Sequence, residues 1–193
     1  MKNVLVLSVI ASIIISSCAP AVVAVPVATS VAYDDRTLST IYQDEGITQE
    51  AYGVIQDDKQ FKGSNISIAA INNLVLLVGQ VENNQLKAKA YSEISKIDTV
   101  KKVYNQITVE PPVSALTKSN DAWITTKVKT ALLADLGLKS SKVKVLTENS
   151  VVYLLGIVSS DQATQAAKTA SKVKGVKKVV KLFQIKSEKI KTT

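Results

Sequence analysis

The chain has no histidine, one cysteine, one tryptophan, two phenylalanines and seven glycines in 193 residues. Without histidine it lacks the commonest general base and the commonest neutral metal ligand. With Cys18 as its only cysteine it can form no internal disulfide, so any folded domain is held by its core alone. Glycines are scarce, and neither a GxGxxG nor a GxxxxGKS phosphate-cradling loop occurs. The acidic pairs Asp34-Asp35 and Asp57-Asp58 read as solvated carboxylates of a linker and a helix end. Ser95-Lys96 and Ser171-Lys172 could each be drawn as a dyad, but they recur late in a helix of each of two copies and read as structural. These absences predict a non-enzyme with no catalytic residue, no metal, no cofactor and no small-molecule substrate.

What the chain does have is a duplication. Residues 44–81 reappear 77 positions later as 121–158, with pairs such as Asp44/Asp121, Ile47/Ile124, Asp58/Asp135, Asn72/Asn149, Leu77/Leu154 and Gly79/Gly156. After one deleted residue the match resumes at an offset of 76, where Ser95-Lys96 meets Ser171-Lys172 and Val100-Lys101-Lys102-Val103 meets Val176-Lys177-Lys178-Val179. A repeated unit of roughly 65 to 70 residues sets the domain count and allows each copy to be read against the other.

The first residues read as a secretory signal: Lys2, a run from Val4 to Ile15 of only apolar residues and serine, then Ile15-Ser16-Ser17-Cys18. The run is short for a bilayer span. An aliphatic residue three places before the cysteine, with small residues between, resembles the bacterial lipobox. That resemblance implies a signal peptide over 1–17 and lipidation of Cys18. Two acyl chains give stable anchoring, since each buried methylene contributes about 0.8 kcal/mol. Ala19, where an aspartate would favour inner-membrane retention, implies the outer membrane, with the lipid-anchored chain facing the periplasm. Residues 18–43 carry Pro20 and Pro26 and no sustained period, and read as the lipidated N-terminus and a linker.

Each repeat reads as helix, strand, strand, helix, strand, giving domains over 44–110 and 120–186. A short linker over 111–119 marked by Pro111-Pro112 joins them, and a basic tail follows over 187–193. In the second copy Asn120 or Asp121 is expected to cap a helix reaching about Asp135, with Ile124, Val128, Ala131 and Leu132 on its buried face. A second helix is expected from Asp161. The order of elements, the stretch DAWITTKVKTALLADL, the strand VVYLLGIV and the GVKKV turn resemble the BON domain. Two such domains behind a lipobox resemble the dual-BON outer-membrane lipoproteins of the DolP type. The resemblance implies an α+β fold of two tandem α-β-β-α-β units, each with a small three-stranded sheet on two helices. Units this small are near the lower size for an independent core, so packing of one copy on the other is plausible.

Charge separates the copies. From Ala19 to Pro111 there are 8 basic and 11 acidic residues, 8 − 11 = −3, whereas Pro112 to Thr193 has 15 lysines and 5 acidic residues, 15 − 5 = +10. A cationic half attracts nucleic acid, anionic membrane or an acidic protein; export and a lipid anchor disfavour nucleic acid and leave an anionic phospholipid membrane as the leading partner. Trp123, Lys127, Thr130 and Ala134 form a stripe about 90° from the buried face of their helix. An indole beside a lysine suits a headgroup boundary, although a lone tryptophan also packs well against a companion domain. The same four positions of the first copy are Gly46, Glu50, Gly53 and Asp57. The family resemblance implies that this helix of the second domain engages anionic phospholipid, through Asp121, Trp123, Ile124, Thr126, Lys127, Thr130 and Leu133. It also implies a role in outer-membrane integrity. The alternatives are a scaffold for another envelope protein, such as a barrel-assembly or cell-wall remodelling component, and a stress-induced periplasmic protector. Lys177-Lys178 has its twin in Lys101-Lys102 and cannot explain the asymmetry; Lys186, Lys189 and Lys191 read as a solvated terminus.

Overall fold

A computed structural model describes residues 38–135 and 143–186, which form two copies of one motif. The first runs α1 (Leu38–Asp57), a short 3-10 turn (Lys59–Phe61), β1 (Asn65–Ile71), β2 (Leu74–Val81), α2 (Asn84–Ser95) and β3 (Lys102–Val109). The second runs α3 (Ala115–Ala134), β4 (Val143–Glu148), β5 (Val151–Val158), α4 (Ser160–Ser171) and β6 (Lys178–Ile185). In each, the middle strand pairs antiparallel with the strand before it and parallel with the strand after the crossover helix. The chain therefore has the expected α+β class, with two three-stranded sheets on helices.

One face of each sheet is covered by its own helices. Ile47, Ala51 and Ile55 of α1 and Leu86, Ala90 and Ile94 of α2 close over Ile68, Val75, Leu77 and Ile107. Ile124, Val128 and Leu132 of α3 and Ala163, Ala166 and Ala170 of α4 close over Val145, Val152, Leu154 and Val158. The other faces pack on each other: Ile71, Leu74, Leu76 and Val78 meet Tyr153 and Leu155 in a third core, flanked by Tyr104, Leu146 and Leu182. Hence β2, apolar without a break from Leu74 to Gly79, is buried at every position. Burying such a side chain contributes about 1.5–3 kcal/mol, so the shared core is what completes two undersized units.

A polar seam edges this interface. Glu148 Oε1 accepts from Gln80 Nε2 at 2.8 Å and Asn65 Nδ2 at 3.0 Å, and Gln80 Oε1 accepts from the Val113 N–H at 3.2 Å. Burial pushes the Glu148 carboxyl above its ordinary range, against the hydrogen bonds from Gln80 and Asn65 and with the Asp121 charge adding to the rise. Burial also raises the Tyr153 hydroxyl.

Helix starts differ from the sequence expectation. α3 begins at Ala115, inside the expected 111–119 linker, because the Ser114 side chain accepts from the Thr117 N–H at 3.1 Å as the N-cap. α1 likewise occupies the end of the expected 18–43 linker from Leu38. Asn120 and Asp121 are thus in mid-helix and cap nothing. The Asp121 carboxylate instead accepts from Asn149 N–H at 2.7 Å and Ser150 N–H at 2.8 Å; Asp44 does the same for Asn72 and Asn73 at 2.8 and 2.9 Å. Those turn residues all have positive φ, between 48° and 65°, the two-residue hairpin geometry whose amides need a partner. α4 starts at Ser160, one residue before the expected Asp161, with Ser159 and Gln162 forming a reciprocal capping box. Gly79 is required at φ +125°, since a Cβ there would lie 1.9 Å from the Asn65 carbonyl oxygen.

Candidate functional site

The outward side of α3 carries three large apolar side chains that the fold does not cover: Leu116 is 81% exposed, Leu133 69% and Trp123 61%. At 3.6 residues per turn, Leu116, Trp123 and Thr130 follow one another with a drift of about 20° per step, about 40° in all, and Leu133 lies roughly 80° round the helix from Trp123. Lys127, one turn after Trp123, places its Nζ over the indole at 5.9 Å from the ring centre. The same Nζ donates to the Lys174 carbonyl at 2.5 Å, which ties the α4–β6 turn beside the stripe. Thr126 and Thr130 are exposed, and their hydroxyls donate back to the carbonyls of Ala122 and Thr126 at 3.0 Å. Their methyl groups are then the parts left to face outward.

Two of the expected contact residues do not belong to this surface. Ile124 is fully buried in the second core, and Asp121 is 4% exposed with both carboxylate oxygens bound to the hairpin turn. Both lie on the inward side of α3, where the helical period carries Val128 and Leu132 as well. Trp123 is 61% exposed and stands outside the core that the two sheets share. Trp123, Thr126, Lys127, Thr130 and Leu133 are brought together. Leu116 was missed by the sequence reading because the helix was expected to begin after it. Ser114 following two prolines was the available signal.

The corresponding face of α1 lacks the indole and the lysine, and its exposed aromatic is Tyr42, 69% accessible and about 40° round the helix from Gly46. A Cβ placed on Gly46 or Gly53 would meet nothing within 4 Å, so both glycines open onto solvent. Glu50 and Asp57, both exposed, stand where α3 has Lys127 and Ala134. Among the described residues no group of His, Cys, Asp or Glu could hold a metal ion, and no helix is long and apolar enough to cross a membrane. Ser171 Oγ donates to the Lys168 carbonyl within its own helix, in keeping with a structural part for the Ser-Lys pair. Cys18, the signal segment and the tail over 187–193 lie outside the described residues.

The BON domain profile matches residues 43–111 and 120–187. The chain is 39% identical over 176 residues, 90% of its own length and 91% of the relative's, to the outer membrane lipoprotein DolP of Haemophilus influenzae. It is 35% identical to the 21 kDa hemolysin of Actinobacillus pleuropneumoniae, covering 78% of each chain. It is 31% identical to the osmotically-inducible protein Y of Escherichia coli, covering 70% of this chain and 69% of that one.

Proposed function

Since the chain belongs to the BON-domain family, we propose that it is a non-enzymatic envelope lipoprotein whose second domain docks on anionic phospholipid through the outer side of α3, and so supports outer-membrane integrity. Its similarity over 90% of its length to a protein described as an outer membrane lipoprotein supports the location. The lipobox-like Ile15-Ser16-Ser17-Cys18 supports an anchor at Cys18 in the periplasmic leaflet. The observation that carries the docking surface is Trp123, 61% exposed beneath the Lys127 ammonium on a helix that also exposes Leu116 and Leu133.

An indole and two leucines can enter the acyl boundary while the lysines stay at headgroup level. Each lysine near an anionic leaflet contributes about 1 kcal/mol, too little for tight binding alone. The tether supplies the rest by holding the domain at high effective concentration. The test uses the chain from residue 19, free of the anchor, sedimented with phosphatidylglycerol or cardiolipin vesicles. Trp123→Ala is expected to lower the bound fraction sharply, and equal binding by both proteins would falsify the proposal.

A second reading, a protector acting under osmotic stress, is favoured by the similarity to osmotically-inducible protein Y. It expects expression to rise with osmolarity and no saturable vesicle binding.

A further inference from the structure

A groove of about 480 Å³ runs between α4 and β6, lined by Lys168, Lys177, Lys178 and Lys181 over a floor that includes Val176 and Val179. All four lysines are exposed, and no carboxylate lines the groove. No described carboxylate pairs with any of them. Four like charges thus rim one concavity whose lining holds no acidic side chain.

Comparison with the first copy shows which of these charges the fold does not need. Lys177 and Lys178 correspond to Lys101 and Lys102, but Lys168 and Lys181 correspond to Ser92 and Asn105. Asn105 Nδ2 donates to the Lys87 carbonyl at 3.0 Å, stitching β3 to α2. Lys181 shares the helix-facing side of β6 with Val179 and Phe183, and it puts a charge where the first copy has that stitch. Ser171 and Thr164, also in the lining, donate their hydroxyl protons to the Lys168 and Ser160 carbonyls. The donors available to a ligand are therefore the ammonium groups.

We infer that this groove is a second anion site, built for a phosphate-bearing group of at least two negative charges and separate from the α3 surface. A single carboxylate would leave most of the cluster uncompensated, whereas phosphate oxygens accept from several ammonium donors at once. The phosphate comes either from a soluble anion or from clustered lipid headgroups.

The test is lysine footprinting by amine acylation and mass spectrometry on the full chain, anchored in phosphatidylcholine vesicles. Inorganic pyrophosphate is added in one arm; phosphatidylglycerol replaces half the lipid in the other. Saturable protection of Lys168, Lys177, Lys178 and Lys181 but not of the exposed Lys62 in the first copy is expected in at least one arm, and that arm identifies the source. The double variant Lys168→Ser, Lys181→Asn, carrying the residues of the first copy, should weaken the protection of Lys177 and Lys178 roughly thirtyfold in concentration. Protection in neither arm, or protection as strong at Lys62, overturns the inference. So does protection that disappears with Trp123→Ala, because the groove would then be shielded only by contact through α3.

Discussion

α1 and α3 occupy the same place in two copies of one fold, and each buries an Ile on its inward side and uses an aspartate to hold a hairpin turn. Their outward sides differ in charge and in apolar content. α1 presents glycines, carboxylates and the exposed Tyr42, while α3 presents an indole under a lysine with two exposed leucines. On these helices the shared aspartate and isoleucine have their partners inside the protein, and the stripe that differs faces out of it. The difference teaches that the duplication preserved a scaffold and that surface chemistry was placed on one copy. The first copy still has a task, since its sheet supplies half of the core on which the second rests.

The largest expected effects fall on the shared scaffold and should be equal in both copies. Asp44→Ala and Asp121→Ala each leave two hairpin amides without their charged acceptor, and each should cost about 2–4 kcal/mol in urea denaturation. Because the copies share a core, either change should lower one cooperative transition. Two separate transitions would break the picture of mutual support. Next in size is Trp123→Ala, expected to reduce vesicle affinity about tenfold while leaving stability within about 0.5 kcal/mol, since the ring is mostly exposed. A smaller, opposite effect is expected from Gly46→Trp with Glu50→Lys, which transfers the motif onto α1. Affinity should rise several-fold, and replacing a helical glycine should add a few tenths to about 1 kcal/mol of stability. Unchanged vesicle binding in that variant would mean that the stripe depends on more than its two leading residues.

The smallest effect concerns the seam between the copies. Glu148 is held above its ordinary range by burial, so the folded protein takes up that proton more readily than the unfolded chain. The stability linked to it is fully present below the unfolded value and is lost as pH rises through the folded value. Glu148→Gln keeps the acceptor oxygen and removes the charge. It should melt above the parent near pH 7 and lose that advantage as pH falls toward the ordinary value of 4.5. A melting difference independent of pH would remove Glu148 from the account.

Much of this was legible without coordinates because it is local or periodic. The helical period put Ile124, Val128 and Leu132 inward and Trp123 aside, and strand composition with a polar break located both hairpins. What was not legible depends on distant partners. Asp121 resembled a helix cap because its true acceptor role is satisfied 28 and 29 residues later, by a turn whose orphan amides leave no trace in the helix sequence. Placing the helix start there hid Leu116 two turns upstream of Trp123, where it extends the exposed stripe. The packing of sheet on sheet was suggested by domain size alone. The apolar run of β2 was its stronger sign, since a strand with one solvated face would alternate.

The central claim, that one copy carries the membrane-facing chemistry, is tested most directly by the fluorescence of Trp123, the chain's single tryptophan. The account predicts a blue shift when the anchor-free chain meets phosphatidylglycerol vesicles, none with phosphatidylcholine vesicles, and reversal by salt as the lysine attraction is screened. An emission spectrum unchanged by anionic vesicles at saturating lipid would contradict it.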